Sequence, residues 1–125
     1  MAVRWTFDHA RKFAEIVLTG ETGEEEAARF FDALEAANAQ PYRKLVDARE
    51  AVPKIDEGIL KLVTARIAAY RNPGPIAAVV DGAYFDGLAR LFILAVDAER
   101  RTRVFRSIEE ARAWLEALER ETISQ

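Results

Sequence analysis

Apolar and polar residues alternate at the start of the chain, and this pattern predicts a pair of strands. Val3, Trp5 and Phe7 are each separated by one polar residue, which is typical of a strand with one buried face. A second apolar segment, residues 13–18, follows after a short polar stretch, so the two strands are expected to pair as an antiparallel hairpin. Residues 22–25 then have the Thr-x-x-Glu spacing of a capping box, and the apolar residues after it recur at helical spacing, which predicts a helix.

The remainder of the chain repeats a strand followed by a helix three times. The predicted strands are residues 43–48, 76–80 and 103–105. The predicted helices carry apolar stripes across residues 55–70, 88–96 and 111–118. Ser107 and Glu110 have the spacing of a second capping box before the last helix. The order β-β-α-β-α-β-α-β-α predicts one α/β domain over residues 1–125, with a mainly parallel sheet, an N-terminal antiparallel hairpin and four helices.

The composition excludes several classes of function. The chain has 125 residues, the length of one domain, and it is 50% hydrophobic and 31% charged, as globular proteins are. It has no cysteine, which excludes disulfides, thiolate zinc sites and cysteine nucleophiles. Its one histidine, His9, leaves little material for imidazole metal sites or serine–histidine catalysis, and its six glycines form no phosphate-binding motif. We therefore predict a protein without enzymatic activity, cofactor or bound metal.

The charge and hydropathy of the chain bear on its partners and location. The formal net charge is −3 and the sequence pI is about 5.3, which argues against nucleic acid as a partner. No apolar run has the length of a signal peptide or of a transmembrane helix. We expect a cytoplasmic protein.

Polar residues at the ends of two predicted strands are the candidates for a binding site. In open α/β sheets, ligands bind beyond the carboxyl ends of the strands. Asp47 and Arg49 lie at the end of one predicted strand, and Asp81 follows another. Tyr84 and Phe85 come directly after Asp81, where two aromatic rings suit either a lid over an apolar ligand or the first core residues of the next helix. For Asp81 the alternative is a turn or capping residue.

Three segments and the order of the elements resemble the STAS superfamily, which includes anti-sigma factor antagonists and the regulatory tails of anion transporters. The segments are residues 44–49, 75–80 and 103–115, and the last of them is most similar to the small bacterial SpoIIAA-like proteins. Those proteins are often described as relatives of both STAS and CRAL-TRIO lipid-carrier domains. The resemblance implies a STAS-like fold and a non-enzymatic regulatory role through binding another protein.

The resemblance also identifies a departure from the family pattern. In anti-sigma factor antagonists a strand-ending D-x-S is followed by D-S-S-G-L, and the first serine of the second motif is phosphorylated. If Gly58 matches the motif glycine, Asp56 falls at the position of that serine, and no Ser or Thr occurs between Thr22 and Thr64. We predict that this switch is absent. Asp56 is then either a fixed negative charge facing the partner or an ordinary helix cap.

The sequence therefore predicts one binding surface and leaves one alternative open. The predicted partner-binding residues are Asp47, Arg49, Asp56, Glu57 and Gly58. The alternative function is a carrier of a lipid or another apolar small molecule, with membrane-surface association and with Asp81, Tyr84 and Phe85 as a ligand lid. A homodimer through the edge of the hairpin or through the loop of residues 84–85 is compatible with either function.

Overall fold

The computed structural model describes residues 2–21, 23–51, 57–71, 74–80 and 102–123. The elements in this part of the chain are β1 (Ala2–Asp8), β2 (Phe13–Gly20), α1 (Glu24–Ala36), β3 (Arg43–Ala51), α2 (Glu57–Ala68), β4 (Ile76–Val79), β5 (Thr102–Phe105) and α3 (Ile108–Ile123). The helix predicted over residues 88–96 lies outside the described residues. The same holds for four of the predicted site residues, namely Asp56, Asp81, Tyr84 and Phe85.

The five strands form one sheet in the order β1-β2-β3-β4-β5. β1 and β2 are antiparallel, and Trp5 lies opposite Ile16 in their register. β2 to β5 run parallel, so their carboxyl ends lie along one edge of the sheet. The predicted hairpin and the predicted mainly parallel sheet are confirmed. We call the edge formed by these strand ends the carboxyl edge.

Helices cover both faces of the sheet and divide the core in two. Under α1 and α2 the buried residues are Ala14, Ile16, Phe31, Leu34, Ala39, Tyr42, Ile67 and Ile76. Under α3 they are Leu45, Ala77, Val79, Phe105, Ala111 and Leu115. All four residues of β4 are buried, as expected for a strand covered on both faces. Because successive strand residues alternate between the faces, Leu45 packs under α3 and Val46 packs toward α1 and α2.

The two predicted capping boxes have different outcomes. The N-cap of α1 is Gly23, so the helix begins one residue later than the box at residues 22–25 predicts, and Thr22 itself lies outside the described residues. Three successive glutamates, residues 24–26, occupy the first turn of α1, where negative charge is favourable to the helix dipole. At α3, the backbone N–H of Glu110 donates to Ser107 Oγ at 3.3 Å, which confirms the cap at that helix.

A charged network connects α1 to α2. Arg66 on α2 donates from Nε to Glu35 Oε2 at 3.0 Å and from Nη2 to Asp32 Oδ1 at 2.8 Å. The Tyr70 hydroxyl donates to the same Glu35 oxygen at 2.8 Å, and the guanidinium lies 5.6 Å from the centre of the Phe31 ring. These hydrogen bonds, that of Arg66 above all, lower the pKa of Glu35. The network fixes the two helices against each other on one face of the sheet.

We expect Arg66→Met to lower the free energy of unfolding by about 1–3 kcal/mol, because it leaves Glu35 and Tyr70 without their cation. Urea unfolding followed by circular dichroism measures this change. Arg29→Met is the matched control, since Arg29 is exposed and lies 4.0 Å from Glu25 in an ordinary helical ion pair. Its expected loss is below about 0.5 kcal/mol. Equal losses in the two variants would contradict a special role for Arg66.

Candidate functional site

The carboxyl edge of β3 holds two of the predicted site residues in direct contact. Arg49 donates from Nε to Asp47 Oδ1 and from Nη2 to Asp47 Oδ2, both at 2.8 Å. The backbone N–H of Arg49 also donates to Asp47 Oδ1 at 3.2 Å. Two parallel N–H···O bonds of this kind fix the plane of the guanidinium. Asp47 therefore holds Arg49 in one orientation.

A β-bulge contributes to this arrangement. Val17 pairs with Asp47, but the next pair is Thr19 with Glu50, so three residue steps on β3 match two on β2. Ala48 and Arg49 lie between these two pairs. Bulges bend a strand locally and redirect its side chains, and they are frequent near sites. The carboxyl end of β3 is thus shaped differently from its regular, buried beginning.

The two side chains differ in exposure, and each shifts the pKa of the other. The side chain of Asp47 is 16% exposed, whereas that of Arg49 is 47% exposed. Hydrogen bonds from Arg49 lower the pKa of Asp47, and the bonds to Asp47 raise the pKa of Arg49. Asp47 is accordingly ionised at neutral pH. The group that solvent or a partner meets here is the Arg49 guanidinium.

Residues from β2 and α3 surround this pair. Arg112 on α3 donates from Nη2 to Glu15 Oε1 on β2 at 2.7 Å. The charge of Arg112 also contributes to the lowered pKa of Asp47, and that of Glu109 contributes to the raised pKa of Arg49. We call these five residues, Glu15, Asp47, Arg49, Glu109 and Arg112, the Arg49 patch. It lies on the face covered by α3.

The sequence analysis missed Glu15, Glu109 and Arg112. Arg112 and Glu15 are 97 positions apart, and they meet because β2 lies beside β3 and α3 packs across that side of the sheet. Glu109 also has a local role, since the Ser107 hydroxyl donates to its Oε2 at 2.9 Å. Nothing in the spacing of these residues indicates the contact. Only the strand order together with the position of α3 indicates it.

Two further predicted site residues, Glu57 and Gly58, lie on a helix that packs on the opposite face. Glu57 begins α2 and Gly58 is in its first turn, and α2 packs on the face away from the Arg49 patch. Asp56 and the side chain of Glu57 lie outside the described residues. The structure brings Asp47 and Arg49 together, and their proximity to Asp56 stays a prediction.

The other end of the sheet carries two buried basic residues that the sequence analysis did not single out. Arg43 donates to the carbonyl oxygens of Leu115 and Arg11, each at 3.1 Å. Lys44 Nζ donates to the carbonyl oxygens of Gln40 at 2.6 Å and Tyr42 at 2.8 Å. Burial lowers the pKa of Lys44 to about 8. These contacts tie α3 and two loops to the sheet, and we assign them to the fold.

Two kinds of feature are absent from the described residues. No group of three or more His, Cys, Asp or Glu side chains there is arranged to hold a metal ion. Within the same part of the chain, no helix combines the length and the apolar character needed to cross a membrane.

Comparisons with known proteins identify the fold. No protein-family model matches the sequence, and no curated protein matches it. Among solved structures, the chain is similar to an uncharacterised DUF3478-family protein with a SpoIIAA-like fold from Shewanella loihica PV-4. The TM-score is 0.69 and the identity 13%, over 91% of this chain and 94% of that one. It is also similar to an anti-sigma factor antagonist from Mycobacterium paratuberculosis, with a TM-score of 0.60 and 14% identity over 92% of this chain and 95% of that one. The chain has a SpoIIAA-like α/β fold.

Proposed function

We propose that the chain is a non-enzymatic regulatory domain that acts by binding another protein at the carboxyl edge of its sheet. The similarity to an anti-sigma factor antagonist supports a role of this kind, because such a protein acts against a protein target. The observation that carries the proposal is the half-exposed Arg49 guanidinium, held by the two hydrogen bonds that it donates to Asp47. A cytoplasmic location would suit this role.

The geometry of Arg49 suits a protein interface. Arginine is enriched among the residues that dominate binding energies, and an ordered side chain loses less entropy when a partner binds. The Asp47 carboxylate already fixes the guanidinium, so Arg49 meets a partner in a preformed position. We assign Arg49 as the principal contact and Asp47 as the residue that positions it.

The partner-binding surface would extend from Arg49 to the start of α2. In this proposal Asp56, Glu57 and Gly58 form its second part, where Asp56 supplies a permanent negative charge. The absence of Ser and Thr from residues 23–63 supports a partner contact that phosphorylation of these residue types does not switch. Binding would then be controlled by the abundance of either protein.

Capture of partners by the immobilised chain from an extract of its host tests the proposal. Proteins retained by the wild type are identified by mass spectrometry and compared with those retained by Arg49→Glu and Asp56→Lys. We expect a specific partner whose affinity falls by about tenfold or more in both variants, since a guanidinium or a carboxylate is replaced by the opposite charge.

Arg29→Glu is the matched control, because it makes the same change of charge on an exposed part of α1. It is expected to retain the partner at wild-type level. A partner that binds Arg49→Glu and wild type equally would remove Arg49 from the surface. The absence of any retained protein that binds Arg49→Glu and Arg29→Glu differently would contradict the proposed function.

A further inference from the structure

β1 is an end strand of the sheet, and its outer side has no strand partner among the residues that the structure describes. It has seven residues and contains no proline. An unpaired strand edge presents N–H and C=O groups that can pair with another strand, and proteins usually protect such edges with proline, with a short strand or with charged side chains. β1 has neither proline nor a short length, and its two charged residues, Arg4 and Asp8, have opposite signs.

The side chains of β1 fall into a polar and an aromatic set. Arg4, Thr6 and Asp8 are exposed on the face away from α1. Asp8 accepts the backbone N–H of Arg11 at 3.0 Å through Oδ1, and Arg4 has no hydrogen bond or ion pair within the described part of the chain. These two opposite charges lie four residues apart on a strand whose edge is open.

The aromatic set lies on the other face, toward α1. Trp5 and Phe7 are partly buried and pack against the core there. The Trp5 ring contacts Phe30 of α1 edge-to-face, with ring centres 5.6 Å apart. Both residues therefore retain some exposure to solvent.

We propose that β1 pairs antiparallel with β1 of a second copy of the chain, with Thr6 on the two-fold axis. In this register Arg4 lies opposite Asp8 of the second copy, and Trp5 lies opposite its Phe7. The two-fold symmetry makes each of these pairs twice. Opposite charges and aromatic rings directly across two strands both stabilise the pairing. The two sheets become one continuous sheet.

The charges select this register over its neighbours. Centred on Arg4, the pairing would place two arginines directly opposite each other, which is destabilising. Centred on Trp5, it would place Arg4 opposite Thr6 and Asp8 opposite Ala2, so no opposite charges would meet. A shift by one residue would bring the polar set of one copy against the aromatic set of the other. Only the pairing centred on Thr6 places Arg4 of one copy opposite Asp8 of the other.

Analytical ultracentrifugation of the full chain tests this dimer. We expect the wild type to sediment at twice its mass of 14.1 kDa. We expect Arg4→Glu and Asp8→Lys to weaken the dimer by about tenfold each, because each brings like charges together. The double variant exchanges the charges and should return the dissociation constant to within about threefold of wild type. Since the double variant also lacks the Asp8 bond to Arg11, its recovery separates dimer formation from folding.

Cysteine cross-linking tests the register, because the chain has no cysteine of its own. Thr6→Cys places two thiols opposite each other, within disulfide range for a directly opposed strand pair. It should therefore oxidise to a covalent dimer. Arg4→Cys, whose thiol would face Asp8, should not do so under the same conditions. Arg71→Glu is the charge control for the ultracentrifugation, with no expected effect.

Three results would overturn the proposal. The first is a wild type that remains a monomer at about 200 µM, which would place any dissociation constant well above that concentration. The second is a dimer whose stability the single charge reversals leave unchanged, which would place the interface elsewhere. The third is cross-linking of Arg4→Cys as rapid as that of Thr6→Cys. The test does not depend on the Arg49 patch, so it stands or falls independently of the proposed function.

Discussion

Gly74→Ala is expected to lower the free energy of unfolding by about 3 kcal/mol. A Cβ at this position would lie 2.3 Å from the carbonyl oxygen of Tyr42 and 2.4 Å from that of Pro41. Both atoms belong to the backbone, so no rotation of a side chain relieves the contact. The chain must move here, and several contacts oppose such a movement.

The loop against which Gly74 packs is held from both sides. The Gly74 N–H donates to the Gln40 carbonyl at 3.1 Å, and the Tyr42 N–H donates to the Ala39 carbonyl at 3.1 Å. The Lys44 ammonium also donates hydrogen bonds to the carbonyl oxygens of Gln40 and Tyr42. A shift of about 1 Å would strain or break bonds in this buried set, and each costs about 1 kcal/mol or more when it is lost.

Urea unfolding of the wild type and of two glycine variants measures the effect. Gly23→Ala is the matched control, because a Cβ there meets no atom nearer than 4.0 Å and the backbone is extended. Its expected loss is below about 1 kcal/mol, the cost of a poorer N-cap. A loss in Gly74→Ala no larger than in Gly23→Ala would mean that residues 39–42 adjust freely.

The elements of this fold were predictable because their signals are local. Alternation at Trp5 and Phe7 predicts the hairpin, and the uninterrupted apolar run at residues 76–80 predicts a strand buried on both faces. The start of α1 lies one residue later than predicted, since Gly23 is the N-cap. Two good capping residues next to each other leave a boundary uncertain by one position.

The candidate site was predictable only in part. Asp47 and Arg49 are two residues apart on one strand, so their contact follows from the strand period. Arg112 and Glu15 meet only through the strand order and the packing of α3. Neither of these can be derived from the spacing of residues along the chain.

The sequence at the beginning of β3 indicates exposure to solvent, but the structure shows burial. Arg43 and Lys44 are adjacent charged residues, which normally indicates a solvent-exposed strand end, yet they are 8% and 5% exposed. Their long aliphatic stems pack into the core while their charged ends reach carbonyl oxygens. The pattern of polar and apolar residues does not contain this information, because it treats each side chain as wholly one or the other.

The burial of Lys44 predicts an unusual dependence of stability on pH. Its pKa is about 8 in the folded chain, below the ordinary value of 10.5, because burial disfavours the ammonium. Between these two values the unfolded chain binds more protons than the folded chain, so stability rises with pH. Below about pH 8 both states are protonated and the full cost of burying the charge is present. Above 10.5 that cost is gone.

Unfolding of the wild type and of Lys44→Met should therefore diverge as the pH rises from 8 to 10.5. We expect the wild type to gain about 2–3 kcal/mol relative to the variant over this range, since one unit of pKa corresponds to about 1.4 kcal/mol. Tyrosine ionisation affects both proteins and cancels in the difference. Lys61→Met, at an exposed position of α2, should follow the wild-type profile. If Lys44→Met also follows it, burial does not lower the pKa of Lys44, and the carbonyls of Gln40 and Tyr42 stabilise its ammonium as well as water does.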